Sequence, residues 1–562
     1  MPWSQNYSPV GGSGGSALIA AIPIVVLLAL LAFWHVRAHL AALFALLVAG
    51  AIAVLVFGMP AKLAVAAAGY GAAFGLLPIG WLIINAIFIY QLSVETGQFV
   101  VLQRQVAGIS RDRRIQALLL AFSFGAFIEG AAGFGAPVAI SGALMIGLGF
   151  KPLEAAKLAL IGNTAPVAFG SLGIPLITLA DVTGLDLRGL SANVGFHLTI
   201  FSIIVPFWLV AAQVGWRGMV GIWPACLTAG GTFAAMQFLM STFHGPWLVD
   251  IVSAAVSMLA LLVLMRFWKP KEEMVNETSA TPAAAAATAA TAATGPAWKA
   301  WLPWIFLTGF VFIWGIKPVK NQLNEWYAPK IPVPALHLGV QKMPPVAPVP
   351  TPEKPAKPDE AIFTLNLLSA TGTPLLLAGI ASALCLGVGF RRALRIYGQT
   401  LLRVRVSLLT ISTMMALGYL TKYAGTDTAM GLAMAGTGGL FPFFSPIIGW
   451  LGVALTGSDT ASNVLFGNLQ KVTAGQLGFS PLLMCAANSS GGVMGKMIDA
   501  QSIVVAAVAT GGREDSPDAG TVLRAVFWHS IALAVLVGFL VMAQAYLFPG
   551  IIPAAPLPVP AH

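Results

Sequence analysis

The chain has 562 residues, of which 58% are hydrophobic and only 9% charged, with a mean hydropathy of +0.85. A soluble protein of this size could not cover so much apolar surface, so the composition describes an all-α polytopic membrane protein seated in a lipid bilayer. The net charge of +10 does not call for nucleic acid, because Lys and Arg sit in short loops between apolar runs, a pattern of membrane topology.

Apolar runs of helical length fall at 17–34, 39–58, 63–96, 154–180, 190–214, 218–240, 247–266, 300–316, 373–390, 406–421, 481–508 and 525–548, which predicts about twelve transmembrane helices. Met1–Ser16 carries no Lys or Arg ahead of the first run, so Ala17–Trp34 reads as a retained span and not a cleaved leader. Two further stretches, about 115–150 and 441–478, are interrupted by Gly, Pro and charge. Each reads as a re-entrant hairpin, since irregular backbone at membrane depth is tolerated where protein or water covers it. Residues 276–297 form an Ala/Thr-rich linker, and 317–362 a Pro-rich, extended loop. Cys226, Cys385 and Cys485 all lie in apolar runs and read as small buried hydrophobes with no disulfide.

Three loops gather the basic residues: Arg104, Arg111, Arg113 and Arg114; Arg266, Lys269, Lys271 and Lys299; and Arg391, Arg392, Arg395, Arg403 and Arg405. Alternation through the spans puts all three on one side, which the positive-inside rule makes cytoplasmic. Both termini and the 317–362 loop then lie outside.

A direct repeat survives, Leu148-Gly149-Phe150-Lys151-Pro152-Leu153 against Leu477-Gly478-Phe479-Ser480-Pro481-Leu482, an offset of 329. The same offset lays the basic loop 98–114 over 427–443, which has no Lys or Arg. Equivalent loops on opposite sides are what an inverted repeat requires. The organisation expected is therefore a first repeat at 1–214, two connecting spans and the linker at 215–299, and a second repeat at 300–562.

Both hairpins carry polar residues near their turns: Glu129, Gly130 and Gly133 in the first, Ser458, Asp459, Thr460, Ser462 and Asn463 in the second. A carboxylate at mid-bilayer costs about 2.5–3.5 kcal/mol on insertion scales, so it is usually retained for work. Unpaired N–H groups at half-helix starts favour a small anion, with hydroxyls as further donors and glycines admitting it to the backbone. Helix packing is the plainer reading of the glycines. Asn163-Thr164-Ala165-Pro166 and Asn488-Ser489-Ser490-Gly491-Gly492 each set an amide and hydroxyls beside a helix breaker, the mark of a discontinuous helix with ligand groups at the midplane. Lys496 either pairs with Asp499 at i,i+3 or attracts a substrate carboxylate. His197, His529, Glu95 and Asp250 lie nearer span ends and read as interfacial, with a proton role open to the histidines.

There is no H-E-x-x-H, no Walker loop and no acidic pair at metal-ligand spacing, so no metal or cofactor is expected and an ion gradient would drive transport. For a small anion, one proton per charge makes uptake electroneutral, whereas an inside-negative potential opposes the bare anion by about 2.3 kcal/mol per 100 mV. Glu129 and Asp459, the acids closest to the hairpin tips, are the candidate proton carriers. Asp459 could instead cap its hairpin helix.

The run Gly125–Val138, with Gly149–Leu153, Asn163–Gly170, Thr456–Thr460 and Gly491–Ile498, resembles the bacterial lactate/glycolate permease family over nearly the whole chain. Ala461 and Ser489-Ser490 replace hydroxyl residues common in that family, and only Ala461 removes a donor. The resemblance implies a proton-coupled symporter of L-lactate, D-lactate and glycolate in the bacterial cytoplasmic membrane. By analogy it also implies kinship with inverted-repeat, elevator-type transporters. The anion-site residues are then Gly130, Gly133, Asn163, Thr164, Ser458, Thr460, Ser462, Asn463, Asn488, Ser489 and Lys496. From the residues alone the substrate is a small anion, another carboxylate or sulfate included; a channel, or a membrane enzyme or sensor, is the alternative class.

Overall fold

The computed structural model describes residues 2–551 apart from 33, 35, 108–109, 132–135, 275–296, 346, 348–356, 371, 500–501, 504 and 508–518. Gly133, nearly all of the Ala/Thr linker and part of the Pro-rich loop therefore lie outside the described residues. The rest is helical, with two short two-stranded pairings. Among the described residues six helices are long and apolar enough to cross a bilayer, or up to nine if each bent pair is one span. The apolar helices Gly14–Leu27, His39–Leu55, Pro137–Gly147 and Gly372–Cys385 are shorter.

Both expected hairpins contain two helical legs packed against each other. In the first, helical backbone runs from Arg113 to Ala131 with a π-helical middle at Leu118–Phe124, and Ala136–Gly147 returns beside it. Ser141 in the return leg donates to the Leu120 carbonyl at 2.7 Å, so the legs lie side by side. In the second, Phe441–Thr456 and Asp459–Leu477 are tied by Ser462 donating to the Gly449 carbonyl at 3.1 Å.

Two helices that follow the hairpins are discontinuous, at places set by sequence. Pro152–Gly162 starts with proline at its first turn, where no N–H is needed. It stops at Asn163, and after a short turn at Val167–Phe169 the chain resumes as Gly170–Thr183, bent by 63° from its first part. Ser171, Leu172 and Gly173 all have positive φ, a strained conformation for Ser and Leu of the kind that collects at functional sites. The second break differs from expectation. Pro481–Gly495 runs unbroken through Asn488–Gly492, and the helix loosens only at Lys496–Ile498 before Asp499 turns extended. Gly491 and Gly492 let neighbours approach instead of breaking the helix: the Pro446 backbone lies against Gly491, and Asp459 Oδ1 against Gly492.

Loops far apart in sequence meet at the two ends of the molecule. At one end Arg114 donates to the carbonyls of Gly218 and Glu272, Trp301 to Gln105, and Arg392 to the Glu95 carbonyl, which gathers the three basic loops. At the other, Trp3–Ser4 pairs with Val340–Gln341 and Gln5 donates to the Tyr423 carbonyl. The bent helix Phe390–Ala424 connects the two, and its 35 residues span about 50 Å at ~1.5 Å per residue. Buried cysteines are Cys226 and Cys485, whereas Cys385 is exposed on its helix, a correction to the expectation for that residue.

Single cysteines at Ser110 and Gln399 are expected to label from the same face of the membrane, and one at Lys330 from the opposite face. Labelling of Ser110 and Lys330 by one impermeant reagent on one side would contradict the arrangement.

Candidate functional site

The second hairpin turns at Gly457, whose φ of +75° suits glycine, and its return leg is capped by Ser458. The Ser458 hydroxyl accepts from the Ala461 N–H at 3.3 Å, so Ser458, not Asp459, is the cap. Asp459 is thereby free to point inward. Its Oδ2 accepts from Ser489 Oγ at 2.6 Å and from Asn463 Nδ2 at 3.2 Å.

From there a chain of side chains crosses between the hairpin and the Pro481–Gly495 helix. Asn488 Nδ2 donates to Asn463 Oδ1 at 2.9 Å, and Gln470 Nε2 donates to Asn488 Oδ1 at 3.2 Å and to the Ser445 carbonyl at 2.9 Å. Asn463 Nδ2 also reaches the Pro175 carbonyl at 3.2 Å, which brings in the first discontinuous helix. Asp459, Ser462, Asn463, Gln470, Asn488 and Ser489 are all buried. Buried polar groups cost about 1–3 kcal/mol each when left unpaired, so this mutual satisfaction fixes the register of three helices. Thr460, half-buried, lies on the first turn of the same leg.

Lys496 stands at the hairpin tip. Its Nζ donates to the Gly457 carbonyl at 2.6 Å and pairs with Asp499 Oδ2 at 3.1 Å. The i,i+3 pairing with Asp499 expected from the sequence is realised. Glu129 and Asp459 each lie within electrostatic reach of this ammonium. One cation thus sits among acids from the first hairpin, the second hairpin and its own strand of chain.

The first hairpin contributes a less saturated half. Glu129 is buried, its Oε1 abuts the Cα of Gly170, and its Oε2 has no hydrogen-bond partner. Asn163 lies beside it, 1% exposed, and neither atom of its amide makes a hydrogen bond of normal geometry. Thr164 turns back onto the Ile161 carbonyl at 2.8 Å. Gly130 gives its open face to Asp250 and Ile251, so it serves close helix contact here. Gly133 is outside the described residues.

Three residues of this centre escaped the sequence reading. Asp250 was assigned to an interface, yet it is 1% exposed and packs on Gly130 beside Glu129. His197 was assigned likewise, yet it is buried, with Nδ1 2.9 Å from Ser490 Oγ and Nε2 2.5 Å from Gln544 Oε1. Gln470 was not singled out, although it lies two helical turns after Asn463 on the same face and its amide in an apolar leg was the available signal.

In this arrangement the donors of the second hairpin are bonded to one another. Beside them stand the Lys496 ammonium, held by Asp499 and the Gly457 carbonyl, and the Asn163 amide next to Glu129. Among the described residues no three His, Cys, Asp or Glu side chains gather to hold a metal.

A multi-pass helical membrane protein with its polar groups collected at helix breaks and a hairpin tip has the build of a membrane transporter. The chain belongs to the L-lactate permease family, whose model matches residues 16–548. It is 45% identical to the glycolate permease GlcA of Escherichia coli (strain K12), over 98% of this chain and all of that protein. It is 43% identical to an L-lactate permease of Bacillus subtilis (strain 168), again over 98% of this chain and all of that one. The Alcanivorax borkumensis YdaH transporter overlaps 85% of this chain and 86% of its own at 12% identity, with a TM-score of 0.42, too low to set the fold.

Ser458→Ala is expected to lower stability by about 1 kcal/mol through loss of the cap, and Ser458→Asp to restore most of it, read by thermal unfolding in detergent. Asn488→Ala is expected to cost more, about 1–3 kcal/mol, because it removes partners from both Asn463 and Gln470.

Proposed function

We propose that this protein is a secondary active transporter that takes up L-lactate and related 2-hydroxy monocarboxylates, D-lactate and glycolate, together with protons. The membrane is the bacterial cytoplasmic membrane, with the basic loops inside and both termini outside. The substrate class rests on relatives named as L-lactate and glycolate permeases. That all of them are permeases supports a carrier and not an enzyme. The two halves are read as inverted repeats, supported by Pro152 and Pro481, which open corresponding helices 329 residues apart.

The observation that carries the mechanism is the crowding of Glu129, Asp459 and Asp499 around the one ammonium of Lys496. A substrate carboxylate that takes Lys496 as its partner enters a place already occupied by acids. It is tolerated there when Glu129 or Asp459 is neutral, because each further negative charge acting on the same cation's surroundings disfavours ionisation of the others. Anion and proton binding then favour each other, and the loaded site is electrically close to neutral, which lowers the cost of carrying it through the membrane. Asn163 supplies a neutral donor to the same anion. Asp459, held by Ser489 and Asn463, is the better-anchored acid; Glu129, with one oxygen unpartnered, is the one whose protonation changes with less rearrangement.

Counterflow of labelled lactate in proteoliposomes tests the reading. Competition by glycolate, with weak or no competition by acetate and sulfate, is expected; stronger competition by sulfate would point to an inorganic-anion carrier. Lys496→Gln is expected to weaken apparent lactate affinity roughly 10-fold or more, the loss of a charge-assisted bond worth about 1.5–3 kcal/mol. In Glu129→Gln, uptake driven by a pH gradient should fail while exchange between equal lactate pools remains measurable. Intact accumulation in that variant would remove Glu129 from proton coupling.

A further inference from the structure

Beside Glu129 lies a second acid that the transport reading does not use. Asp250 opens the helix Val249–Phe267, which packs on the first hairpin at the Gly130 position. A Cβ built on Gly130 would stand 2.7 Å from the Cβ of Asp250, so the absent side chain at Gly130 is what lets Asp250 approach the hairpin. Asp250 is 1% exposed and neither of its carboxyl oxygens has a hydrogen-bond partner. Glu129, the next residue on the hairpin, is 5% exposed with Oε2 unpartnered, and the two acids act on each other electrostatically.

A third side chain makes this more than an acidic pair. The Asn163 amide, 1% exposed, lies beside Glu129, its polar neighbour, and neither of its atoms makes a hydrogen bond of normal geometry. Five buried polar atoms from three separate elements thus lack a hydrogen bond of normal geometry, with Glu129 neighbouring both Asn163 and Asp250. Each costs about 1–3 kcal/mol if it stays unpaired, so the cluster is built around something polar that these groups hold in common.

The charges define what that is. The nearby cation, Lys496, is already paired with Asp499 and bonded to the Gly457 carbonyl. The charged groups acting on Glu129 are Lys496 and Asp499, and Glu129 is the charged group acting on Asp250. No cation is among the groups acting on Asp250, and two carboxyls carried at adjoining positions of a water-poor core disfavour joint ionisation.

We propose that Asp250 and Glu129 hold one proton between them and that this pair, with Asn163 as its neutral donor, is the proton-binding site of the transport cycle. The proposal rests on the proton-coupled reading above. The proton moves from water on the outer side onto the pair and from the pair to water on the inner side, with no bond to the substrate made or broken. Asp250 belongs to a helix outside both hairpins, so a hinge between hairpin and helix would split the pair and release the proton, linking protonation to movement.

The test uses the full-length protein in proteoliposomes with an internal pH dye. Wild type should show lactate-driven proton uptake; its absence in wild type, with counterflow intact, would defeat proton coupling itself and not the pairing. Asp250→Asn is expected to reduce lactate-driven proton uptake at least about tenfold while lactate counterflow stays measurable, and Asp250→Glu to recover part of the coupling. Wild-type coupling in Asp250→Asn would overturn the proposal. Should Asp250→Asn lose all transport, infrared difference spectra of the purified protein decide. A protonated-carboxyl band that is present at neutral pH and vanishes in both Glu129→Gln and Asp250→Asn supports the shared proton. A band unaltered in Asp250→Asn rejects it.

Discussion

Lys496 buries a basic side chain among helices of a membrane-embedded bundle, and its contacts determine what else the centre can hold. An unpaired ammonium at this depth would cost several kcal/mol, so Asp499 and the Gly457 carbonyl are drawn to it. The carbonyl belongs to the tip of the second hairpin, which is thereby fastened to the helix that follows it. The hairpin's own acid, Asp459, is left to organise Asn463 and Ser489. Glu129 reaches the same field from the first hairpin. A small anion entering this field competes for a single cation and is opposed by every acid that is not protonated. In the proposed cycle that competition couples substrate and proton binding, with no direct bond between them required.

The centre depends on close helix contacts made by missing side chains. Gly449 lies on the Asn488 backbone, Gly491 on Pro446, Gly495 on Trp450 and Gly162 on Ala121. Lipid tails offer no hydrophobic force to press helices together, so association relies on close packing and on polar bonds between the backbones so approximated. The network from Asp459 through Asn463 and Asn488 to Gln470 uses this proximity, and a larger residue at Gly449 or Gly491 would separate the side chains that form it. The two halves of the centre are unequal in this respect. The second hairpin ties most of its polar side chains to one another, leaving Asp459 Oδ1 open, whereas the first, with Glu129, Asn163 and Asp250, keeps more of its polar atoms open. A carrier needs one rigid part to hold the site's shape and one part whose partners change during the cycle, and this division supplies both.

The amino-acid sequence by itself determined that the chain is helical and membrane-embedded, where its two hairpins and their following helices lie, and most of the residues of the centre. These follow from strong local rules: apolar runs of span length, charge placed against its solvation cost, and proline or glycine where a helix must yield. The sharing of one end by the three basic loops was legible for the same reason, because positive charge avoids crossing the bilayer. Tertiary structure alone decided the rest. Asn488–Gly492 contains the residues of a helix break, yet the helix continues because Pro446 and Asp459 occupy the spaces its glycines leave. Ser458 and Asp459 are both good caps, and Ser489 on another helix decided between them by claiming Asp459. Asp250 and His197 read as interfacial because distance from a span end was the only measure of depth available. Their true depth depends on which neighbours cover them, and those neighbours, Gly130, Ser490 and Gln544, lie 120 to 347 residues away in the chain. No local pattern encodes contacts of that separation.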